Sequence, residues 1–267
     1  MKSDSGSSRW IVSLGSRVST RLRLLCFPYA GGGASTYRKW PSASLRQIHL
    51  CAVQLPGREN RLGDPPYTQI SQLVDVLRGE LQPYFDMPFA FFGHSMGALI
   101  AFELARKLRR MRDPMPVRLF LSGRRAPDWP PARPAIYHLP DAEFRQEVRL
   151  LQGTPDEVLN NEELMQILLP VLRADFAVCE TYKYSAEEPL NIPLSVFGAN
   201  HDPEVDRAGL EAWQRHTTGS MNLRIFEGNH FFLHPMRSAL TEAITQDVSA
   251  LLGAEAPGVQ QHPGASW

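Results

Sequence analysis

Apolar residues along this chain gather into six short runs, at 22–27, 50–55, 89–93, 119–123, 194–198 and 223–226. Within each run the apolar positions are largely consecutive rather than alternating. A strand with one face in water alternates, so consecutive apolar positions predict strands buried on both faces, as in a parallel sheet. Between the runs the period becomes helical. Ile70, Leu73, Val74, Leu77 and Leu81 share one helical face, as do Leu99, Phe102, Ala105 and Leu108, and then Leu240, Ile244, Val248 and Leu251. Strands alternating with helices of this length predict right-handed crossovers and an α/β fold, a mostly parallel sheet with helices on both faces.

The alternation breaks between 127 and 188, where two helical patterns follow one another with no strand between. The first starts at Asp141, which is placed to cap it, and carries Phe144, Val148 and Leu151. The second runs from 162 to 182 with Leu164, Leu168, Val171, Leu172 and Phe176. A helical insertion of this kind, at about 128–188, predicts a lid over the carboxyl ends of the strands, where α/β folds bind ligands. Seven of the 22 prolines fall between 114 and 140. Proline fixes φ and continues neither helix nor strand, so this cluster predicts a stiff approach to the lid and shifts movement to its far side, near 184–193. The first 20 residues are rich in Ser, and 253–267 is rich in Gly, Pro and Gln. Neither stretch carries enough apolar surface to order itself. The expected organisation is therefore a flexible segment at 1–20, a folded body at 21–252 and a flexible tail at 253–267.

One chemical signal stands at a strand-to-helix junction. Phe89-Ala90-Phe91-Phe92-Gly93-His94-Ser95-Met96-Gly97 is an apolar run leading into G-x-S-x-G, with a helical pattern directly after it. Glycines at 93 and 97 suit a tight, strained turn in which a Cβ would collide with neighbouring backbone. Such a turn lifts the Ser95 hydroxyl above the sheet at a helix N-terminus, where the Met96 amide points at a developing oxyanion. The same chemistry needs a second amide from the loop after an early strand. Cys26-Phe27-Pro28-Tyr29-Ala30-Gly31-Gly32-Gly33-Ala34 leaves the first apolar run into such a glycine loop, with the Ala30 amide as the favoured donor and Gly31 as its competitor. A phosphate cradle would want G-x-x-x-x-G-K-[ST], and Lys39 lies too far along.

A serine nucleophile of this class is followed in the chain by an acid and then a histidine. Of the eight histidines, His230 in Phe226-Glu227-Gly228-Asn229-His230 stands just beyond the last apolar run, where a loop returns an imidazole over the serine as general base. His234 reads as a surface residue at a helix start, His94 as packed nearby, and His49, His138, His216 and His262 lie away from strand ends. The acid comes from Val196-Phe197-Gly198-Ala199-Asn200-His201-Asp202-Pro203-Glu204, at the end of the fifth run. Asp202 fits best, with Glu204 and Asp206 as competitors. Its alternative role is to cap a helix beginning near Pro203.

Composition narrows the partners. The 28 basic and 28 acidic residues balance, which argues against a broad electrostatic grip on nucleic acid or an anionic membrane. Three scattered cysteines, Cys26, Cys51 and Cys179, make neither a disulfide framework nor a zinc ribbon and read as buried thiols in a reducing compartment. No apolar stretch approaches the roughly 18 residues of a membrane span. The expectation is a cytoplasmic protein acting on a small molecule or another protein.

Seven blocks carry a more specific likeness: FPYAGGGASTYRKW, LPGRENRL, FFGHSMGALIAFELAR, LSGRRAP, LLPVLRADFAVCETY, FGANHDP and EGNHFFL. In this order, from about 22 to 252, they resemble the type II thioesterases that accompany modular polyketide and nonribosomal peptide synthetases. More distantly, they are similar to the medium-chain thioesterase of animal fatty acid synthesis. The resemblance implies an α/β-hydrolase fold with a helical lid. It also implies hydrolysis of acyl thioesters on the phosphopantetheine arm of acyl or peptidyl carrier proteins, by a Ser95, Asp202 and His230 triad with the Ala30 and Met96 amides as oxyanion hole. No metal and no dissociable cofactor are implied, since the substrate itself carries the phosphopantetheine; the expected state is a monomer. By the same analogy Leu168, Leu172 and Phe176 line an acyl pocket, and Arg124 and Arg125 stand where a phosphate or an acidic carrier surface could meet them. Many members have His where Tyr29 stands and some have Asp where Asn200 stands; neither position belongs to the triad. The alternatives are a medium-chain fatty acyl thioesterase and a general esterase or lipase.

Overall fold

The computed structural model describes residues 8–15, 20–40, 45, 47–151, 153 and 156–254. In chain order the elements are β1 (Ile11–Leu14), β2 (Leu22–Phe27), β3 (Ile48–Val53), α1 (Ile70–Leu81), β4 (Phe89–His94), α2 (Met96–Met111), β5 (Leu119–Ser122), α3 (Asp141–Leu150), α4 (Asp156–Leu159), α5 (Glu162–Glu180), β6 (Leu194–Ala199), α6 (Arg207–Glu211), β7 (Met221–Phe226) and α7 (Arg237–Ala254). The strands form one sheet in the order β1-β3-β2-β4-β5-β6-β7. All neighbours are parallel except β1 and β3.

The consecutive apolar runs have the expected cause. Every residue of β2, β3, β4, β5 and β6 is buried. Along β2, Leu25 and Phe27 enter a core shared with Leu73, Leu77 and Leu104 of α1 and α2. Leu22, Leu24 and Cys26 enter a second core, shared with Leu240, Ile244 and Val248 of α7. Each such aliphatic side chain contributes roughly 1.5–3 kcal/mol of burial, so the sheet is clamped from both sides. The edge strand β7 is only half-buried.

At the amino-terminal end the fold departs from composition. Part of the 1–20 segment expected to be flexible is a strand: β1 pairs antiparallel with β3, from Ile11 opposite Val53 to Leu14 opposite Leu50. Trp10 is buried beneath the Arg61 guanidinium, 4.0 Å from its ring centroid. The serines that dominate the average hide this short apolar stretch. At the other end Gly253 and Ala254 complete α7; the rest of the expected tail, like 1–7 and 16–19, lies outside the described residues.

The insertion is helical and has its own small core of Ile136, Phe144, Val148, Leu159, Met165, Leu169 and Leu172. Its details differ from the pattern. Pro140, not Asp141, is the residue preceding α3. Asp141 is the first helical residue, and its carboxylate is held 2.7 Å from Arg173 of α5. Leu164 faces solvent while Met165 and Leu169 turn inward. The short helix α4 left no periodic trace. The segment 184–193, expected to be the moving side, is fastened: Glu187 accepts from Arg106, Arg109 and Arg110 at 2.9, 2.7 and 2.5 Å. Arg109 also donates to the Glu188 and Pro189 carbonyls, and Arg106 to that of Ser185. A single carboxylate thus bridges three guanidiniums of α2, one of which, Arg106, also pairs with Glu103. Glu187→Ala should therefore raise hydrogen exchange across 184–193 several-fold with the sheet amides unchanged; equal exchange in wild type and variant would show that the charges do not hold the segment.

Candidate active site

Ser95 sits between β4 and α2 with φ 53° and ψ −112°, a conformation that costs a non-glycine residue on the order of 1–3 kcal/mol. It persists because its surroundings leave no alternative. The Ser95 amide donates to the Ser122 carbonyl of β5 at 2.8 Å. A Cβ on Gly93 would stand 2.0 Å from the Gly97 carbonyl oxygen, and one on Gly97 would stand 2.1 Å from that of Phe27. Met96 follows as the first residue of α2, where an amide has no helical acceptor.

Two loops beyond the sheet bring a carboxylate and an imidazole to this hydroxyl. His230 Nδ1 lies 2.8 Å from Asp202 Oδ2, and its Nε2 lies 3.0 Å from Ser95 Oγ. A carboxylate only accepts, so Nδ1 carries the hydrogen and Nε2 presents its lone pair to the serine. An imidazole so bridged can take the hydroxyl proton and hold the resulting charge. The Asp202 side chain is wholly buried and that of His230 is nearly so. The Asp202 loop is fixed locally by Oδ1, which accepts the Glu204 amide at 2.8 Å. It is tied to the His230 loop by Asn200, whose Oδ1 accepts the Gly228 amide and whose Nδ2 donates to Glu227. The competitors are occupied elsewhere: Asp206 caps α6 through the Gly209 amide, and Glu204 pairs with Arg133.

The glycine loop after β2 lies on the other side of Ser95. Ala30 lines the cavity that also holds Ser95 and His230. The Gly31 amide, its sequence-level competitor, donates instead to Asp175 Oδ2 of α5 at 2.7 Å. The cavity, of about 290 Å³, is closed by Val148, Leu151, Leu172 and Phe176 of the insertion and carries Arg124, Arg125 and Tyr182 on its wall. Of the three residues named by the acyl-pocket analogy, Leu172 and Phe176 line this cavity and Leu168 is not among its lining residues, while all three pack in or against the insertion's own core. Cys26 and Cys51 are buried, and Cys179 is half-buried on the cavity wall.

The pattern of the sequence drew attention to neither Asp175 nor Arg58, which form a buried pair beside the glycine loop. The available signal was an acid set among Val171, Leu172, Ala174, Ala177 and Val178, the apolar face of a helix. His234 lies on the surface as expected, before α7 rather than within it, with its ring 3.0 Å from the Tyr29 hydroxyl. His94 is fully buried under His230, their ring centroids 5.2 Å apart. Its Nδ1 meets Ser122 Oγ at 2.9 Å.

Burial, and then the nearby His230, push the His94 imidazole well below its usual pKa. In the folded chain it stays neutral, whereas in the unfolded chain it titrates near 6.5. The unfolded state therefore takes up the proton first. Stability that is complete above about pH 6.5 falls as the pH drops below it, by about 1.4 kcal/mol per pH unit for one such group. Melting followed by circular dichroism should show Tm falling from pH 7 to pH 5, and His94→Gln should flatten that slope; an unchanged slope would assign it to other groups.

A family model described as a thioesterase domain matches residues 22–251. The chain is 44% identical over 245 residues to the gramicidin S biosynthesis protein GrsT of Aneurinibacillus migulanus, covering 92% of this chain and 96% of that one. Among solved structures, the RedJ thioesterase of the prodiginine biosynthetic pathway in Streptomyces coelicolor superposes with a TM-score of 0.80 at 39% identity, over 86% of this chain and 91% of that one. The type II thioesterase BorB of the borrelidin biosynthetic cluster gives 0.81 at 35%, over 91% and 99%. The strained serine turn, the bridging imidazole and the helical insertion thus sit in a chain that belongs to the thioesterase family of the α/β-hydrolase fold.

Proposed function

We propose that this thioesterase hydrolyses acyl groups from the phosphopantetheine arm of carrier proteins, as an editing type II enzyme of polyketide or nonribosomal peptide synthesis. The observation that carries the chemistry is the imidazole of His230 bridging Ser95 Oγ and the buried Asp202 carboxylate. His230 Nε2 takes the hydroxyl proton as Ser95 Oγ attacks the thioester carbonyl. The Ala30 and Met96 amides hold the oxyanion, a device whose individual donors are worth about 2.7–4 kcal/mol of barrier elsewhere. The C–S bond breaks, and the pantetheine sulfur leaves with the proton that His230 gathered. His230 then deprotonates a water that attacks the acyl-serine; the acid departs and the proton returns to Ser95. Asp202 keeps the imidazole in the tautomer that this sequence needs. Nothing in this cycle calls for a metal or a dissociable cofactor.

The substrate class follows from the family and from the cavity. At about 290 Å³ the space under the lid lies at the small end of ligand sites, which run from about 300 to 1,000 Å³. That accommodates a short acyl group of the kind that stalls a synthetase, which the family reading favours. The carrier proteins of a synthetase are the partners this reading requires.

Carrier proteins loaded with acyl chains from acetyl to decanoyl, followed by mass spectrometry of the intact carrier, test the reading. Release should be fastest for the short chains and absent with Ser95→Ala, and Asp202→Asn should lower kcat by about 10⁴-fold. A preference for octanoyl and longer chains would make the protein a medium-chain enzyme. Faster cleavage of p-nitrophenyl esters than of any carrier thioester would make it a general esterase.

A further inference from the structure

A charged pair that takes no part in these proton transfers grips the glycine loop from behind. Arg58, in the loop after β3, and Asp175, on α5, are 4% and 3% exposed. They meet through two parallel hydrogen bonds, Nη1 to Oδ2 at 2.7 Å and Nη2 to Oδ1 at 2.8 Å. Both reach the glycine loop as well. Arg58 Nη1 donates to the Gly32 carbonyl at 3.0 Å, and Asp175 Oδ2 accepts the Gly31 amide at 2.7 Å. The backbone is thereby held on both sides of one peptide unit.

That unit lies in a tight turn, closed by the Gly32 amide on the Tyr29 carbonyl at 2.9 Å, with Gly31 at φ +77°. A left-handed residue at the third position is the signature of a type II turn, whose two central amides take no part in its closing bond. Here those amides belong to Ala30 and Gly31. Asp175 takes the second, leaving the first for the cavity. The lid helix touches the loop again one turn earlier, where a Cβ on Gly31 would lie 2.6 Å from Leu172 Cδ2. A buried ion pair is a poor device for stability alone, because desolvation cancels most of its attraction. Its directional hydrogen bonds to backbone are better suited to fixing where an amide points.

We propose that Asp175, locked by Arg58, is a positioning residue: it fixes the Ala30–Gly31 peptide plane, and with it the orientation of the adjoining Tyr29–Ala30 unit, whose Tyr29 carbonyl closes the turn and whose N–H, the Ala30 amide, is aimed at the oxyanion, and it registers the glycine loop to the lid helix. This rests on the role given above to the Ala30 amide, and not on which acyl carrier is the substrate. Phosphonylation of Ser95 by a fluorophosphonate reads the oxyanion donors without any carrier protein. Asp175→Ala should lower both Tm and the labelling rate, the latter about 10–100-fold, less than the roughly 10²–10³-fold lost when an oxyanion donor is removed outright, because the Ala30 amide is misaimed rather than absent. The paired variant Arg58→Met with Asp175→Leu removes both buried charges and should restore much of Tm while labelling stays slow. In carrier-thioester assays its kcat should fall with KM nearly unchanged. Recovery of the labelling rate together with Tm in the paired variant would overturn the proposal, leaving the pair a structural one. Wild-type labelling by a folded Asp175→Asn variant would show that the charge is dispensable and overturn it equally. Rapid labelling of a wild type that releases no carrier thioester would instead overturn the substrate reading while the comparison of variants still decides this one.

Discussion

The geometry of the site descends from one close approach, that of α2 to the ends of β2 and β4 beneath the strained Ser95. Gly97 lies so near the Phe27 carbonyl that any side chain would overlap it, and Gly93 is as close to Gly97. The helix packs this tightly at the tip of a strand that is buried throughout and flanked by parallel neighbours, β4 in the middle of the sheet. The proximity of the glycine loop follows directly: β2 is hydrogen-bonded to β4, so the chain leaving β2 emerges beside the serine. On the other flank β5 accepts the Ser95 amide through Ser122, and β6 and β7 beyond it project the Asp202 and His230 loops. The three side chains are far apart in sequence and adjacent in space because the sheet order makes them so.

The lid is attached by a different kind of force. Its small apolar core is separate from the two that sandwich the sheet, and many of its bonds to the rest of the molecule are ionic: Arg58 with Asp175, Arg133 with Glu204, and Glu187 with the arginines of α2. A chain of zero net charge therefore has a strongly organised charge distribution. Exposed pairs of this sort contribute little singly, but the Arg58–Asp175 pair is buried and directional, and it reaches the glycine loop that the lid covers.

How much of this was legible in the sequence depended on the length scale of each signal. Runs buried on both faces, such as 22–27 and 89–93, matched strands because they are short and bounded by turn residues, whereas the buried stretch of α2 continues into a helix-length amphipathic pattern. β1 escaped because a four-residue edge strand needs only Trp10 and Ile11 buried, and the surrounding serines outweighed them in any average. Asp141 and Leu164 were misplaced for a related reason: at a helix end one residue decides the role, and periodicity locates ends only to within a turn. For the site, Ser95, Asp202 and His230 stood out as loop residues at strand ends, where topology alone brings them together. Asp175 did not, because its meaning lies in a backbone amide 144 residues away, and no local pattern records such a contact. The bonds that tie 184–193 to α2 were hidden likewise, since a cluster of arginines on another helix leaves no mark in that segment.

The same dependence on distant partners explains why a second histidine lies buried under the site. In the proposed hydrolysis His230 becomes an imidazolium each time it takes the serine proton. A positive charge on His94, with ring centroids 5.2 Å apart, would oppose that by about 3 kcal/mol at an effective dielectric of roughly 20. Burial removes the conflict, because an imidazole with no access to water stays neutral at pH values where an exposed one is protonated. Space for a larger side chain is lacking as well, since a Cβ on Gly123 would already stand 2.5 Å from the His94 ring. The ring thus serves as a polar but uncharged floor, bonded to Ser122, whose carbonyl in turn fixes the Ser95 amide. Among the described residues, the one full charge in hydrogen-bond contact with the His230 imidazolium is then the Asp202 carboxylate, which is the condition for that imidazolium to form where the thioester carbonyl is attacked.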